Sequence, residues 1–229
     1  MTCHINLVID SPVGVYYGQV DTGPRWGTHG KENHMTEFEK MQAGLLYDPG
    51  DEEIVRVQGP LLDKLWAFNQ LKPSDMEAKE AYMKVVFAEC GENVYLELPF
   101  HANFGGAHAH FGSNIYANFN LTLVDDADIY IGDHVMIGPN VTIVTATHPL
   151  DGDLRARGLQ YNRPVHIGKN VWIGANAVVL PGVTIGDNAV IGAGSVVTHD
   201  IPENVVAVGV PCRVLRKIQE GEDRHLLVE

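Results

Sequence analysis

The chain has 229 residues, 45% of them hydrophobic, which suits a folded protein of one large or two small domains and excludes disorder as the default. Sixteen Lys and Arg against 29 Asp and Glu leave a net charge of −13, which argues against nucleic acid or an anionic membrane as the main partner. The apolar runs are far shorter than the ~20 residues that span a bilayer, the start lacks the order of a secretory signal, and three scattered cysteines, Cys3, Cys90 and Cys212, suit a reducing compartment; a cytoplasmic protein is expected.

Residues 1–34 show no periodicity and are expected to form a loosely ordered arm. From Met35 to 98 the chain reads as helical. Ser74-Asp75-Met76-Glu77 has the pattern of a capping box, Gly91 that of a helix stop, and Ala78, Ala81, Tyr82, Val85 and Val86 make a stripe between them. A preceding helix is expected to start near Gly59-Pro60, with Leu61, Leu62, Leu65, Trp66 and Phe68 on its apolar face. These stripes are core-packing signals.

Over residues 99–218 the period changes to six. Ile167, Ile173, Val179, Ile185, Ile191 and Val197 recur in one register, and Gly168, Gly174, Gly186 and Gly192 follow four of them. Val171, Ala177, Val183, Ala189 and Ser195 occupy a second, smaller set, and upstream Ile131, Ile137 and Ile143 continue the pattern. A period of six suits a prism whose faces are short strands and whose corners are turns, with aliphatic side chains inside. Glycine would relieve a corner that is crowded or that needs positive φ. Successive coils would stack as parallel strands ~4.8 Å apart. From Thr145 to Pro164 the markers vanish, so 145–164 is expected to loop out from a corner. Residues 219–229 form a tail.

No nucleophile elbow or catalytic cysteine is recognisable, so chemistry on this chain would rest on a base, a donor for developing charge and a pocket. His148 stands where the register ends, just before Pro149; by position alone it is either a base or a solvated loop histidine. His134 and His166 fall at turn positions. Arg213, Arg216 and Lys217 by themselves read first as a solubilising helix end and only second as a phosphate site.

Tyr116-Ala117-Asn118-Phe119-Asn120, Val124-Asp125-Asp126, Thr147-His148-Pro149, Asn170-Val171-Trp172-Ile173-Gly174, Pro181 to Asn188, Gly209 to Val214, and Met41 to Asp48 together closely resemble the maltose and galactoside O-acetyltransferases over roughly residues 35–218. The resemblance implies a left-handed parallel β-helix, opposite in hand to ordinary parallel crossovers. It also implies a homotrimer with active sites between subunits, acetyl-coenzyme A as co-substrate with no metal, and a sugar as acceptor. His148 matches the family's base and Asn118 the residue that stabilises the oxyanion. Asp126 matches an acceptor-binding carboxylate, with Asp48 and Asn103 as companions. Trp172, Ala175, Ala193, Thr198, His199, Arg213 and Arg216 match the coenzyme groove.

The chain departs from the family pattern at His199, where relatives commonly carry Lys, and at Gly105-Gly106, which includes an extra residue. The Gln58-Gly59-Pro60 segment stands where the family's helix is continuous, and residues 1–34 have no counterpart. A xenobiotic acetyltransferase would share the loop histidine, but the maltose-like helical start favours a sugar. A γ-type carbonic anhydrase would need His-x-x-x-x-His, and no two histidines between His101 and His199 have that spacing. A non-catalytic scaffold would leave His148, Trp172 and the terminal arginines unexplained.

Overall fold

The computed structural model describes residues 35–227; the arm expected over 1–34, with Cys3, lies outside the described residues. Among the described residues, four α-helices and a short 3-10 helix (Arg224–Leu226) accompany a three-sided column of short strands. Helix α1 (Glu37–Gln42) opens on a capping box, in which Thr36 Oγ1 accepts from Glu39 N–H at 3.2 Å and Glu39 Oε2 accepts from Thr36 N–H at 2.9 Å.

Helix α2 (Glu52–Phe68) is continuous through Pro60, which corrects the expected start at Gly59-Pro60. Asp51 caps it by accepting from Glu53 N–H at 2.9 Å. Proline inside a helix forfeits one backbone bond and crowds the preceding turn, a cost of ~3 kcal/mol. Packing of Leu65 and Phe68 against the column outweighs that cost, and no atom approaches the position of a Cβ on Gly59. The expected apolar face is only half used, since Trp66 is 69% exposed.

Helix α3 (Met76–Val86) is capped by Asp75 rather than Ser74, through Ala78 N–H at 3.1 Å. Its buried side is Lys79, Met83 and Val86, not the stripe expected through Ala81 and Val85. Lys79 is 1% exposed because its ammonium donates to Leu96 O at 3.2 Å and lies 4.6 Å above the Tyr95 ring. The helix stops before Gly91 because Phe87 turns inward and stacks on Phe111 at 5.0 Å.

Strand pairing starts at Glu89, within the stretch expected to be helical. The first face stacks Glu89–Cys90, Ala109–Phe111, Ile129–Ile131, Val165–Ile167 and Thr184–Ile185. The second stacks Val94–Leu96, Ile115–Ala117, Met136–Ile137, Trp172–Ile173, Val190–Ile191 and Val205–Val208, and is closed by antiparallel Arg213–Lys217. The third stacks His101–Ala102, Thr122–Val124, Thr142–Val144, Val178–Val179 and Val196–Val197. Apart from Arg213–Lys217, all pairings on the three faces are parallel, between coils rather than within them. The predicted inward residues are buried without exception: Ile131, Ile137, Ile143, Ile167, Ile173, Val179, Ile185, Ile191 and Val197 are at most 3% exposed.

The corners divide two tasks between residue types. The hexad glycines are required by crowding: a Cβ on Gly174 would stand 2.5 Å from Ala193 N, and one on Gly168 would stand 2.8 Å from Asp187 N. Positive φ is supplied instead mainly by asparagine, at Asn114, Asn120, Asn140, Asn170, Asn176, Asn188 and Asn204, with His134 in the same role. These amides link coil to coil, as from Asn120 to Asn140 at 2.9 Å and from Asn140 to Asn176 at 3.2 Å.

Candidate active site

At the corner between the third and first faces the repeat is interrupted by residues 145–164. Ala146–Thr147 pairs antiparallel with Tyr161–Asn162, which makes the insertion a narrow-based hairpin rather than an open loop. Helix α4 (Gly152–Ala156), capped by Asp151 through Asp153 and Leu154 N–H groups, fills its tip. Arg155 Nη1 donates to the carbonyls of Pro149 and Leu150, both at 3.0 Å. His148 follows the last paired residue of the outgoing arm and is exposed. Its Nδ1 lies 2.8 Å from Leu159 O. A carbonyl can only accept, so Nδ1 carries a proton, and in the neutral ring the lone pair is on Nε2.

Beneath the hairpin lies a buried polar cluster centred on Asp126, which is 6% exposed. Its Oδ1 accepts from Gln160 Nε2 at 2.9 Å and from the Tyr47 hydroxyl at 3.4 Å; its Oδ2 accepts from Asn103 Nδ2 at 2.9 Å. Asn162 Nδ2 donates to Asp126 O at 3.0 Å, and Gln160 Nε2 also donates to Tyr47 Oη. Burial, and then the nearby Asp126 charge, push the Tyr47 hydroxyl up to about 12, so it stays a donor. Asn103 and Asp126 therefore meet in one cluster. Asp48 does not join them: its side chain accepts from Gly50 N–H at 2.9 Å, while its own N–H donates to Glu37 Oε2 at 2.7 Å.

Asp125, next along the chain, is fully buried. Its carboxylate accepts from Phe104 N–H at 2.8 Å and Gly106 N–H at 3.0 Å, and so holds the turn that carries Asn103. Burial pushes its pKa up to about 6, while the Phe104 bond and His108 oppose the rise. Tyr47, Gln160, Asn162 and Asp125 were not singled out from the sequence. Tyr47 and Asp125 lie inside recognised segments, but nothing marks Gln160 or Asn162 within a polar loop.

Asn118 stands at the corner between the second and third faces. Its Oδ1 accepts from Phe119 N–H at 2.8 Å, and among the described residues Nδ2 has no partner, which leaves an outward donor. Ala175 and Ala193 lie further along this corner, linked coil to coil by Gly194 N–H to Ala175 O at 2.8 Å. Trp172 lies on the second face, in register between Met136 and Val190, and Tyr116, Met136, Trp172 and Phe119 are all exposed.

The other coenzyme candidates lie at the far end of the column. Thr198 and His199 share a hydrogen bond of 2.8 Å, and His199, Cys212 and Arg213 line a cleft of about 250 Å³. A cation beside a cleft fits a phosphate-bearing carrier. Arg216 is paired in two-pronged fashion with Glu222, which pulls that carboxyl down to about 2. Asn118 and His148 thus occupy opposite edges of the third face, and one column does not bring them together. Among the described residues no group of three or more His, Cys, Asp or Glu is placed to hold a metal ion, and no helix is long and apolar enough to cross a membrane.

Comparison with known proteins bears on the whole of this arrangement. Residues 164–199 match the bacterial transferase hexapeptide (six repeats), and residues 40–91 match the maltose acetyltransferase hexapeptide capping motif. The galactoside O-acetyltransferase of Lactococcus lactis is 54% identical over 188 residues, which cover 82% of this chain and 91% of the relative. That of Escherichia coli is 48% identical over 194 residues, covering 84% and 94%. Among solved structures, a galactoside acetyltransferase in complex with coenzyme A matches with a TM-score of 0.80 at 46% identity, over 86% of this chain and 97% of that one. A maltose O-acetyltransferase from Clostridium difficile matches with a TM-score of 0.79 at 45% identity, over 82% and 100%.

Proposed function

This chain belongs to the maltose and galactoside O-acetyltransferase family, its column is that family's left-handed β-helix, and it is an acetyl-coenzyme A-dependent O-acetyltransferase; on that premise we propose that it acetylates a sugar hydroxyl at a site shared between two subunits of a homotrimer, with His148 as general base. The observation that carries this reading is the hydrogen bond from His148 Nδ1 to Leu159 O, which in the neutral ring leaves the lone pair on Nε2.

In the proposed reaction, Nε2 takes the proton from the acceptor hydroxyl as that oxygen attacks the thioester carbonyl. Negative charge then gathers on the carbonyl oxygen, where the Asn118 amide donates to it. The carbon–sulfur bond breaks, the thiolate leaves and recovers the proton from the imidazolium, and acetyl ester and free thiol result. No acyl-enzyme is needed.

Two packed columns would set the His148 corner of one against the Asn118 corner of the next. The exposed apolar row of Tyr116, Met136 and Trp172 on the second face supports such packing. Asp126 and Asn103 would face the acceptor through the lone pairs that their mutual bond leaves over. Trp172, Ala175, Ala193, Thr198, His199, Arg213 and Arg216 would hold the coenzyme.

The test is complementation. His148→Ala and Asn118→Ala proteins, each strongly impaired in a thiol-release assay with maltose, glucose and galactosides, are mixed by unfolding and refolding. Hybrids that place an intact His148 beside a neighbour's intact Asn118 should recover turnover well above that of either variant alone. No recovery from well-assembled hybrids would overturn the shared site, and absence of thiol release with every sugar would overturn the acceptor class.

A further inference from the structure

We propose that Gln160 is a positioning residue that sets the tautomer and aim of His148 through the peptide it shares with Leu159, an inference that rests on the histidine-base reading above. A trans peptide is planar, so its C=O and N–H point in opposite directions. In the Leu159–Gln160 peptide the N–H donates to Tyr47 O at 3.1 Å, and the C=O accepts from His148 Nδ1 at 2.8 Å. Fixing one end of this plane aims the other.

Three further bonds hold the plane. Gln160 O accepts from Tyr47 N–H at 3.0 Å, and the Gln160 side chain, in a residue only 8% exposed, donates to Asp126 Oδ1 at 2.9 Å and to Tyr47 Oη. Rotating the peptide would break bonds made by buried groups, which are costly to leave unsatisfied.

The hairpin does not do this by itself. Its own pairing ends at Thr147 with Tyr161, and α4 reaches the outgoing arm through Arg155 to Pro149 and Leu150. Leu159 lies beyond that pairing on the return arm, where the antiparallel bridge to Tyr47, in the segment between α1 and α2, holds it from outside. Without the carbonyl, the imidazole is free to carry its proton on Nε2, and in that tautomer Nε2 cannot accept a proton from the substrate.

The test uses the full-length enzyme. Gln160→Leu keeps roughly the same volume but removes the amide; kcat should fall about ten- to a hundredfold, the scale for losing a partner that orients a functional histidine, with KM for acetyl-coenzyme A unchanged. Tyr47→Phe keeps the backbone bridge and the Gln160–Asp126 bond and should retain most of the turnover. Imidazole ¹⁵N shifts, assigned to His148 by difference from His148→Ala, should show the proton on Nδ1 in the wild type and a larger fraction protonated on Nε2 in Gln160→Leu; a wild-type proton on Nε2 overturns the proposal even if Gln160→Leu does not assemble.

A proton on Nε2 in the wild type, or unchanged kcat in Gln160→Leu while His148→Ala is inactive, would overturn the proposal. Full turnover in His148→Ala would instead remove the base itself, and the lock with it.

Discussion

The two corners that flank the third face are built from the same hexads and do opposite things. At the corner with the second face, glycine and asparagine recur coil after coil, and the side chains offered to solvent are small or turn outward, as at Asn118, Ala175 and Ala193. At the corner with the first face, a twenty-residue insertion (145–164) breaks the stack and is held by a buried cluster around Asp126. The first corner is rigid because each coil templates the next. The second is rigid only because side chains distant in sequence find one another. Periodicity supplies a straight edge along which an extended carrier can lie, whereas the irregular corner supplies converging polar groups.

The contrast can be broken most severely at His148. His148→Ala should lower acetyl transfer by two to four orders of magnitude, the scale of a lost general base, with circular dichroism and oligomer size unchanged; an equal loss of assembly would make the hairpin structural instead. At the opposite edge, Asn118→Ala should cost about a hundredfold in kcat, the scale for one oxyanion donor, with little change in either KM. An effect confined to KM would remove it from the oxyanion.

Stability should separate the column from its helical start. Gly174→Ala pushes a Cβ to 2.5 Å from Ala193 N and is expected to destabilise by about 1–3 kcal/mol. Gly59→Ala, with open space around it in α2, should stabilise by about 1 kcal/mol; thermal midpoints compare the two directly. Asp125 adds a pH dependence: its raised folded pKa, about 6 against an ordinary value near 3.8, means the fold binds a proton the unfolded chain has released. That contribution is fully present below about pH 4 and is lost as pH rises through about 6, so Asp125→Asn should flatten the stability profile across that window. The smallest expected effect is at the column's end, where Arg216→Ala should raise KM for acetyl-coenzyme A a few-fold and leave kcat unchanged.

How legible each region was follows from the range of the interactions that build it. The inward register from Ile131 to Val197 could be read because each buried residue repeats its predecessor's environment six positions later. The corner residues were half read. Glycine is expected for crowding or for positive φ, and the structure assigns crowding to the hexad glycines and positive φ mainly to asparagine, with Gly182, Gly194 and Gly209 as exceptions. The helices were read less well. Lys79 faces inward although its charge suggests a surface position, because a carbonyl and an aromatic ring await it; Pro60 lies inside a helix because packing outweighs one lost bond.

The sequence by itself determined the column and named His148 and Asn118, the first from the point where a local period fails and the second from family likeness. Only the tertiary structure decided that these two stand at different edges of one face. It also decided that Asp126 is a buried hub fed by Tyr47, Asn103, Gln160 and Asn162, with His148 held through Leu159. The reason is separation along the chain. A repeat needs only its neighbours to be recognised, whereas a hub joins residues up to 115 positions apart, as Tyr47 and Asn162 are, and no local pattern records that meeting.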